Sequence, residues 1–166
     1  NMKKALIIFF TISVLLIILI IFVSFRYKDN KLHVVFCDVG QGDAMLIITP
    51  TQAQILVDGG RDTKVLDCLG HHMPFWDSTL DAVILTHPHA DHLTGLIHVI
   101  ERYHVNSFYT EDIKADSDVY KLLETKLADH ALSAKDLNVG DKMNDNSGSV
   151  LEILWPRLNE NTRVDH

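Results

Sequence analysis

The stretch that decides the fold is His87–His92, which reads His-Pro-His-Ala-Asp-His. It follows Leu80–Thr86, an apolar run with β-branched residues that predicts a buried strand. Apolar residues then recur at helical spacing: Leu93, Leu96, Ile97 and Ile100. The stretch is therefore expected in the turn between a strand and a helix, at the strand's C-terminal end, where sites gather in α/β sheets.

Three imidazoles and one carboxylate lie within these six residues, and such groups are ligands for zinc, manganese and iron. They exceed what a single ion usually takes from one short loop, so the spacing favours two divalent ions, zinc or manganese. We expect His87 and His89 to bind one ion, and Asp91 and His92 to bind the other and act in catalysis. A polar loop with surface histidines is the alternative, disfavoured by the density of ligand-type residues.

Three motifs occur in one order along the chain. Asp38–Ala44 reads D-V-G-Q-G-D-A, Leu56–Gly60 reads L-V-D-G-G, and Leu85–His92 reads L-T-H-P-H-A-D-H. The last resembles the metal motif of the metallo-β-lactamase superfamily, and the set is similar to the hydrolase domain of the ComEC/Rec2 competence proteins. The match runs from about Leu32 to Pro156. It implies a binuclear metal-dependent hydrolase with an α/β mixed sheet, the N-terminal portion of an αβ/βα sandwich. In such competence proteins the domain is thought to degrade DNA during its uptake.

The resemblance also implies roles outside the metal motif. Asp58 would orient the metal ligands or their water, whereas its alternative role is to cap the helix that follows. Asp38, Gln41 and Asp43 would lie on a loop near the site. Taken alone, a Gly-Gln-Gly loop is usually just a turn.

A second half of the family's domain supplies further ligands, an aspartate in a Gly-Asp motif and a late histidine. Here Gly140-Asp141 falls too early and is more simply a turn, and His166 is the last residue. We therefore expect the chain to be truncated; a degenerate protein with half a site is the alternative.

The N-terminal stretch Ala5–Phe25 has 21 residues without a charge, about 31 Å as a helix, which matches a bilayer core. Val23–Phe25 is a poor cleavage site, so an uncleaved anchor is preferred to a signal peptide. The expected organisation is an anchor over 1–26, a linker over 27–31 and a hydrolase domain over 32–166.

Basic residues flank both ends of the anchor, Lys3 and Lys4 before it and Arg26, Lys28 and Lys31 after it. The usual arrangement keeps a short N-terminus inside and places the bulk of the chain outside the cell. We therefore expect a single-pass membrane protein with an extracytoplasmic domain.

Without Lys3, Lys4 and Arg26 the chain keeps 12 basic residues against 22 acidic ones, a net charge of −10. This balance argues against an extended nucleic-acid surface but not against phosphodiester chemistry, because metal ions can neutralise a phosphate locally. DNA or another phosphodiester is the expected substrate. A β-lactam or thioester substrate, or a membrane-tethered binding module without turnover, remains open.

Elsewhere the pattern predicts strands alternating with helices. The strands are Leu32–Asp38, Asp43–Thr49, Ala53–Val57, Val105–Tyr109, Lys135–Met143 and Val150–Trp155, and the helices are Asp62–Leu69 and Asp118–His130. Cys37 and Cys68 occupy apolar positions, which favours two unpaired thiols.

Overall fold

The computed structural model describes residues 2–27, 29–111, 115–145 and 148–154. The chain forms two compact units, Asn1–Lys31 and Leu32–His166. The first contains helix α1 (Met2–Tyr27), whose stretch Met2–Val23 is long and apolar enough to cross a membrane and is not buried against protein. A signal sequence would pass the same test of length and composition.

The second unit consists of short strands and three helices in its described residues. The strands are β1 (His33–Phe36), β2 (Met45–Ile48), β3 (Gln54–Val57), β4 (Thr79–Leu80), β5 (Ala82–Leu85), β6 (His104–Val105), β7 (Phe108–Thr110), β8 (Ala134–Asp136), β9 (Lys142–Asn144) and β10 (Val150–Glu152). The helices are α2 (Lys64–His72), α3 (Ala90–Arg102) and α4 (Asp118–Asp129).

Six of these strands form one mixed sheet in the order β1-β2-β3-β5-β7-β8. The first three are antiparallel neighbours, whereas β3, β5, β7 and β8 run parallel to one another. This is the predicted mixed sheet, with the meander β1-β2-β3 at one edge.

Alternate residues along the strands face opposite sides of the sheet. On one side the strands and all three helices form the main core, which includes Leu46, Leu56, Val83, Phe108, Val65, Leu96 and Leu123. The opposite side forms a smaller cluster around Ile47, Ile55, Ala82 and Ile84, with Met143 of β9 and Leu151 of β10 packed against it. Helices therefore cover one face of the sheet, and the hairpin β9-β10 partly covers the other.

Several predicted elements are shorter or divided. The expected strand Leu80–Thr86 is interrupted at Asp81, whose carboxylate accepts the Gln54 N–H at 2.8 Å and whose own N–H donates to the Gln54 carbonyl at 2.8 Å. The stretch Val105–Tyr109 is likewise divided between β6 and β7, and Lys135–Met143 between β8 and β9.

The helix expected over Asp62–Leu69 instead runs from Lys64 to His72. The Asp62 carboxylate accepts the Lys64 N–H at 2.8 Å, so Asp62 lies before the first turn. The end of the last predicted strand, Trp155, lies outside the described residues.

The expectation of two free thiols is wrong. Cys37 and Cys68 form a disulfide, with 5.7 Å between their Cα atoms. Cys37 packs against the main core, but the sequence pattern does not show that the end of β1 and helix α2 are neighbours. The disulfide therefore joins the loop after β1 to α2.

Candidate metal centre

The candidate centre lies where two parallel strands end beside the start of a helix. Asp58 directly follows β3, Thr86 directly follows β5, and these strands are paired in parallel. Parallel neighbours bring their C-terminal ends to the same edge of the sheet. His87 and His92 follow on the turn and on the first turn of α3, so residues distant in sequence meet at this edge.

The carboxylate of Asp58 connects these segments. Its Oδ1 accepts the backbone N–H of Thr86 at 2.9 Å, and its Oδ2 accepts the Thr86 hydroxyl at 2.6 Å. Oδ2 also lies 2.9 Å from His92 Nδ1. The Asp58 side chain is only 5% exposed, and that of His92 is 12% exposed. Asp58 therefore does not cap α2, whose N-cap is Thr63.

These contacts determine where the protons of two imidazoles lie. An ionised carboxylate only accepts hydrogen bonds, so His92 Nδ1 must carry a proton. The Thr86 hydroxyl donates to Asp58, so it accepts from His87 Nδ1, which is 3.0 Å away. Both rings, when neutral, therefore present an unprotonated Nε2, the form in which imidazole binds a metal.

The environment of His87 favours its neutral form. Burial lowers the pKa of His87 below its usual value of 6.5, and the neighbouring His92 and His89 lower it further. The charges of Asp58 and Asp91 oppose this change but are smaller effects. The rings are close: His87 and His92 have centroids 3.9 Å apart, and His87 and His89 4.7 Å apart.

In the part of the chain that the structure describes, one group of side chains could hold a metal ion: Asp58, His87 and His92, whose ligand atoms lie within 4.8 Å of one another. The two imidazoles fit a divalent metal through their unprotonated Nε2 atoms, whereas both oxygens of the Asp58 carboxylate already accept hydrogen bonds from Thr86 and His92. His89 and Asp91 are not in this group, although the ring of His89 contacts His87 and the charge of Asp91 acts on His87.

The loop predicted near the site, which carries Asp38, Gln41 and Asp43, packs directly on the first turn of α3. Gly42 has a φ of +83°, and a Cβ added there would lie 1.6 Å from the Asp91 carbonyl oxygen. The next loop is equally close, because Gly59 N–H donates to the His92 carbonyl at 2.8 Å and Gly60 N–H donates to the Asp43 carbonyl at 2.9 Å. The glycines therefore let three backbone segments meet where side chains would keep them apart.

Two of the side chains predicted on this loop, Asp38 and Gln41, have partners outside the metal group. The Asp38 carboxylate accepts the Gly40 N–H at 3.3 Å, and Gln41 Oε1 accepts a hydrogen bond from Arg61 at 2.7 Å. The side chain of Asp43 is exposed, and only its backbone takes part in the loop contact just described.

Gly140-Asp141 is a turn, as expected from the sequence, because Asp141 N–H donates to the Asn138 carbonyl at 3.0 Å and Gly140 has a φ of +90°. His166 lies outside the described residues.

Thr86 is the contributor that sequence reasoning missed. Its hydroxyl is hydrogen-bonded to both Asp58 and His87 and so connects them. A threonine at the end of a strand is nevertheless so common that it carries no signal by itself. Its position between the strand and the first histidine was the only available indication.

Comparisons with known proteins identify a family for this chain. A family model described as "Beta-lactamase superfamily domain" matches residues 53–154, more than half of the chain. The search of curated proteins found no match.

Among solved structures, a HARLDQ-motif mutant metallo-beta-lactamase from Cronobacter sakazakii is similar at 15% identity and a TM-score of 0.47, covering 68% of this chain and 47% of that one. Rm3 metallo-beta-lactamase is similar at 18% identity and 0.47, covering 67% and 44%. The metallo-beta-lactamase fold protein YhfI from Bacillus subtilis is similar at 20% identity and 0.47, covering 69% and 48%. The chain thus spans about half the length of these structures. On the family match, the chain belongs to the β-lactamase superfamily domains.

Proposed function

We propose that this chain is a membrane-anchored, binuclear metal-dependent hydrolase that cleaves phosphodiesters, related to the hydrolase domain of the ComEC/Rec2 competence proteins. The observation that carries the proposal is the pair of imidazoles, His87 and His92, whose Nδ1 atoms are both engaged through Asp58 and Thr86. Histidines without a metal-binding role would not require a buried carboxylate to fix their orientation, whereas histidines that bind a metal typically have one.

His87, His89, Asp91 and His92 would hold the two divalent ions, zinc or manganese. Such ions, when bound, lower the pKa of water and polarise a phosphoryl or carbonyl oxygen. Asp58 would hold His92 in one tautomer and one orientation, and through Thr86 it would do the same for His87. The loop containing Gly42 would keep the Asp91 backbone in place.

The local charge supports an anionic substrate despite the acidic chain. Arg61 lies beside the loop through its contact with Gln41. Lys64 is close to the same loop, since a Cβ on Gly40 would lie 2.8 Å from Lys64 Nζ. These cations flank a loop that packs on the metal turn, where they would attract a phosphodiester.

The disulfide supports an extracytoplasmic domain. Disulfides persist in oxidising compartments and are rare in the cytosol. Cys37–Cys68, together with the apolar helix α1, therefore favours a single-pass anchor with the hydrolase domain outside the cytoplasm.

Two other functions would use the same residues. A β-lactam or thioester could replace the phosphodiester, because fold-level similarity does not determine the substrate. A tethered module that binds metal without turnover would keep the same hydrogen bonds but cleave nothing.

The test uses the full-length protein, purified in detergent and loaded with Mn²⁺ or Zn²⁺, with single-stranded and duplex DNA as substrates. We expect cleavage that is lost in a His87→Ala, His89→Ala double variant. His71→Ala, His72→Ala is the matched control, since this exposed histidine pair lies on α2 outside the metal group. Metal uptake without cleavage of DNA, a β-lactam or a thioester would favour the binding module, and equal inactivity of all variants would contradict the nuclease assignment.

A further inference from the structure

The loop between α2 and β4 carries two adjacent aromatic side chains on the surface. Phe75 is 88% exposed and Trp76 is 50% exposed. Their rings are edge-to-face, with centroids 4.8 Å apart. Exposing large aromatic side chains to water costs free energy, and an exposed apolar patch is a candidate contact with another apolar phase.

The backbone on both sides of this pair is held in place. Met73, before the loop, is buried in the main core. After the loop, the Asp77 carboxylate accepts the Thr79 N–H at 3.0 Å and a hydrogen bond from Gln54 Nε2 at 2.8 Å. The aromatic pair is therefore presented from fixed ends.

The loop lies at the end of the sheet where β1 begins. In the strand register His33 is opposite Ile48, and Ile48 is opposite Gln54, the residue that binds Asp77. His33 and Gln54 are thus two strand spacings apart, about 10 Å. The segment between α1 and β1 covers residues 28–32, which span at most about 20 Å when extended.

The metal centre lies at the other end of the same strands. Gln54 begins β3 at the entry end, whereas Asp58 follows β3 at the metal centre. A unit held at its entry end would direct the metal centre away from the bilayer.

We propose that the Phe75–Trp76 loop is a second membrane contact, which inserts into the interfacial region of the bilayer that holds α1 and directs the metal centre toward the aqueous side. The inference rests on the membrane anchoring proposed above and is independent of the hydrolase chemistry. Trp and other amphipathic aromatics are enriched at this depth of a membrane. It implies a substrate that arrives from water, such as a soluble polymer, rather than a lipid headgroup.

The lipid partner is zwitterionic or neutral rather than specifically anionic. The chain without Lys3, Lys4 and Arg26 has a net charge of −10, so an acidic surface would repel it as a whole. Apolar insertion by two aromatic rings does not need opposite charge, and the contact should therefore be insensitive to salt.

The experiment measures tryptophan fluorescence of the full chain in phosphatidylcholine proteoliposomes, with and without brominated acyl chains. The chain has two tryptophans, so Trp155→Phe leaves Trp76 as the only emitter. We expect its emission to shift to the blue and to be lost in brominated vesicles. Adding Phe75→Ser should reduce that loss, with the unfolding midpoint of each variant checking that the fold is kept.

Two control positions, each a single tryptophan in a Trp76→Phe, Trp155→Phe background, separate the outcomes. Phe22→Trp reports on α1, and Phe36→Trp reports on an exposed position at the far end of β1. Quenching at 22 and 76 but not 36 supports the proposal. Quenching at 22 alone overturns it and leaves the anchoring intact, whereas no quenching at 22 or 76 overturns both. Quenching at all three overturns the end-on orientation, and in every case nuclease activity is judged separately.

Discussion

The carboxylate of Asp58 accepts three hydrogen bonds from two segments and thereby orients the imidazole of His92. Asp58→Asn keeps the shape but places a donating amide beside Thr86 and His92. Because such supporting groups typically contribute 10–100-fold in metal affinity, we expect binding weakened by about that factor. Zn²⁺ titration against a competing chelator measures it.

The matched control is Asp67→Asn, an exposed carboxylate on α2. Its metal affinity should equal that of the parent chain. Equal affinities for all three proteins would show that Asp58 does not support the site.

The lowered pKa of His87 predicts the direction of a pH effect in the metal-free protein. Burial is the main cause, followed by His92 and His89. In the unfolded chain His87 takes up a proton near the ordinary pKa of 6.5, before the folded chain does. His87 should therefore leave the free energy of unfolding unchanged above this value. It should lower that free energy as the pH drops from 6.5 through the lowered pKa of the folded chain.

The ring of His87, followed by NMR in metal-free protein, should be more than half neutral at pH 6.5. The fall in the denaturation midpoint between about pH 7.5 and about pH 5.5 should be smaller in His87→Gln, which has no proton to gain. A His87 ring that titrates above 6.5 would contradict the prediction.

At the scale of single residues, the sequence was informative where ligand-type side chains are consecutive. His87, His89, Asp91 and His92 could be proposed as ligands because they lie within six residues, and the structure groups two of them, His87 and His92, with Asp58. Asp58 could be singled out only through its motif, and the choice between helix cap and ligand support required the distances to Thr86 and His92. Thr86 carried no comparable signal.

Among the structural elements, the loop around Gly42 is positioned by its close approach to α3. A Cβ at Gly42 would lie 1.6 Å from the Asp91 carbonyl oxygen, and its φ is +83°. Gly42→Ala should therefore displace Asp91 and weaken metal binding, in addition to a backbone cost of about 1 kcal/mol. Gly140→Ala has a similar φ of +90° but open space around it, so it should carry the backbone cost alone.

The difference in metal affinity between Gly42→Ala and Gly140→Ala isolates the contact with α3. Denaturant unfolding of the same pair separates strain from displacement. Equal effects of the two substitutions on both measurements would mean that the loop does not support the metal turn.

The elements themselves could be predicted better than their limits. Hydrophobic periodicity located α3 and α4 because each buries one face, and apolar runs located β2 and β3, which are buried on both faces of the sheet. The break at Asp81 could not be foreseen, since it depends on hydrogen bonds to Gln54 in another strand. The same holds for Cys37 and Cys68, whose pairing depends on which elements become neighbours.

For the whole molecule, the disulfide links stability to cellular compartment. It joins residues 31 apart in sequence, a loop whose closure should contribute about 3–4 kcal/mol to the free energy of unfolding in the chain-entropy description. Reduction of the parent chain should lower its denaturation midpoint, whereas a Cys37→Ala, Cys68→Ala variant should unfold alike with and without reductant.

If the domain is outside the cytoplasm, a maleimide reagent added to intact cells before lysis should find both thiols blocked. Free thiols in cells that form the disulfide only after lysis would place the domain on the reducing side, and the anchor's orientation would be the reverse of the one proposed.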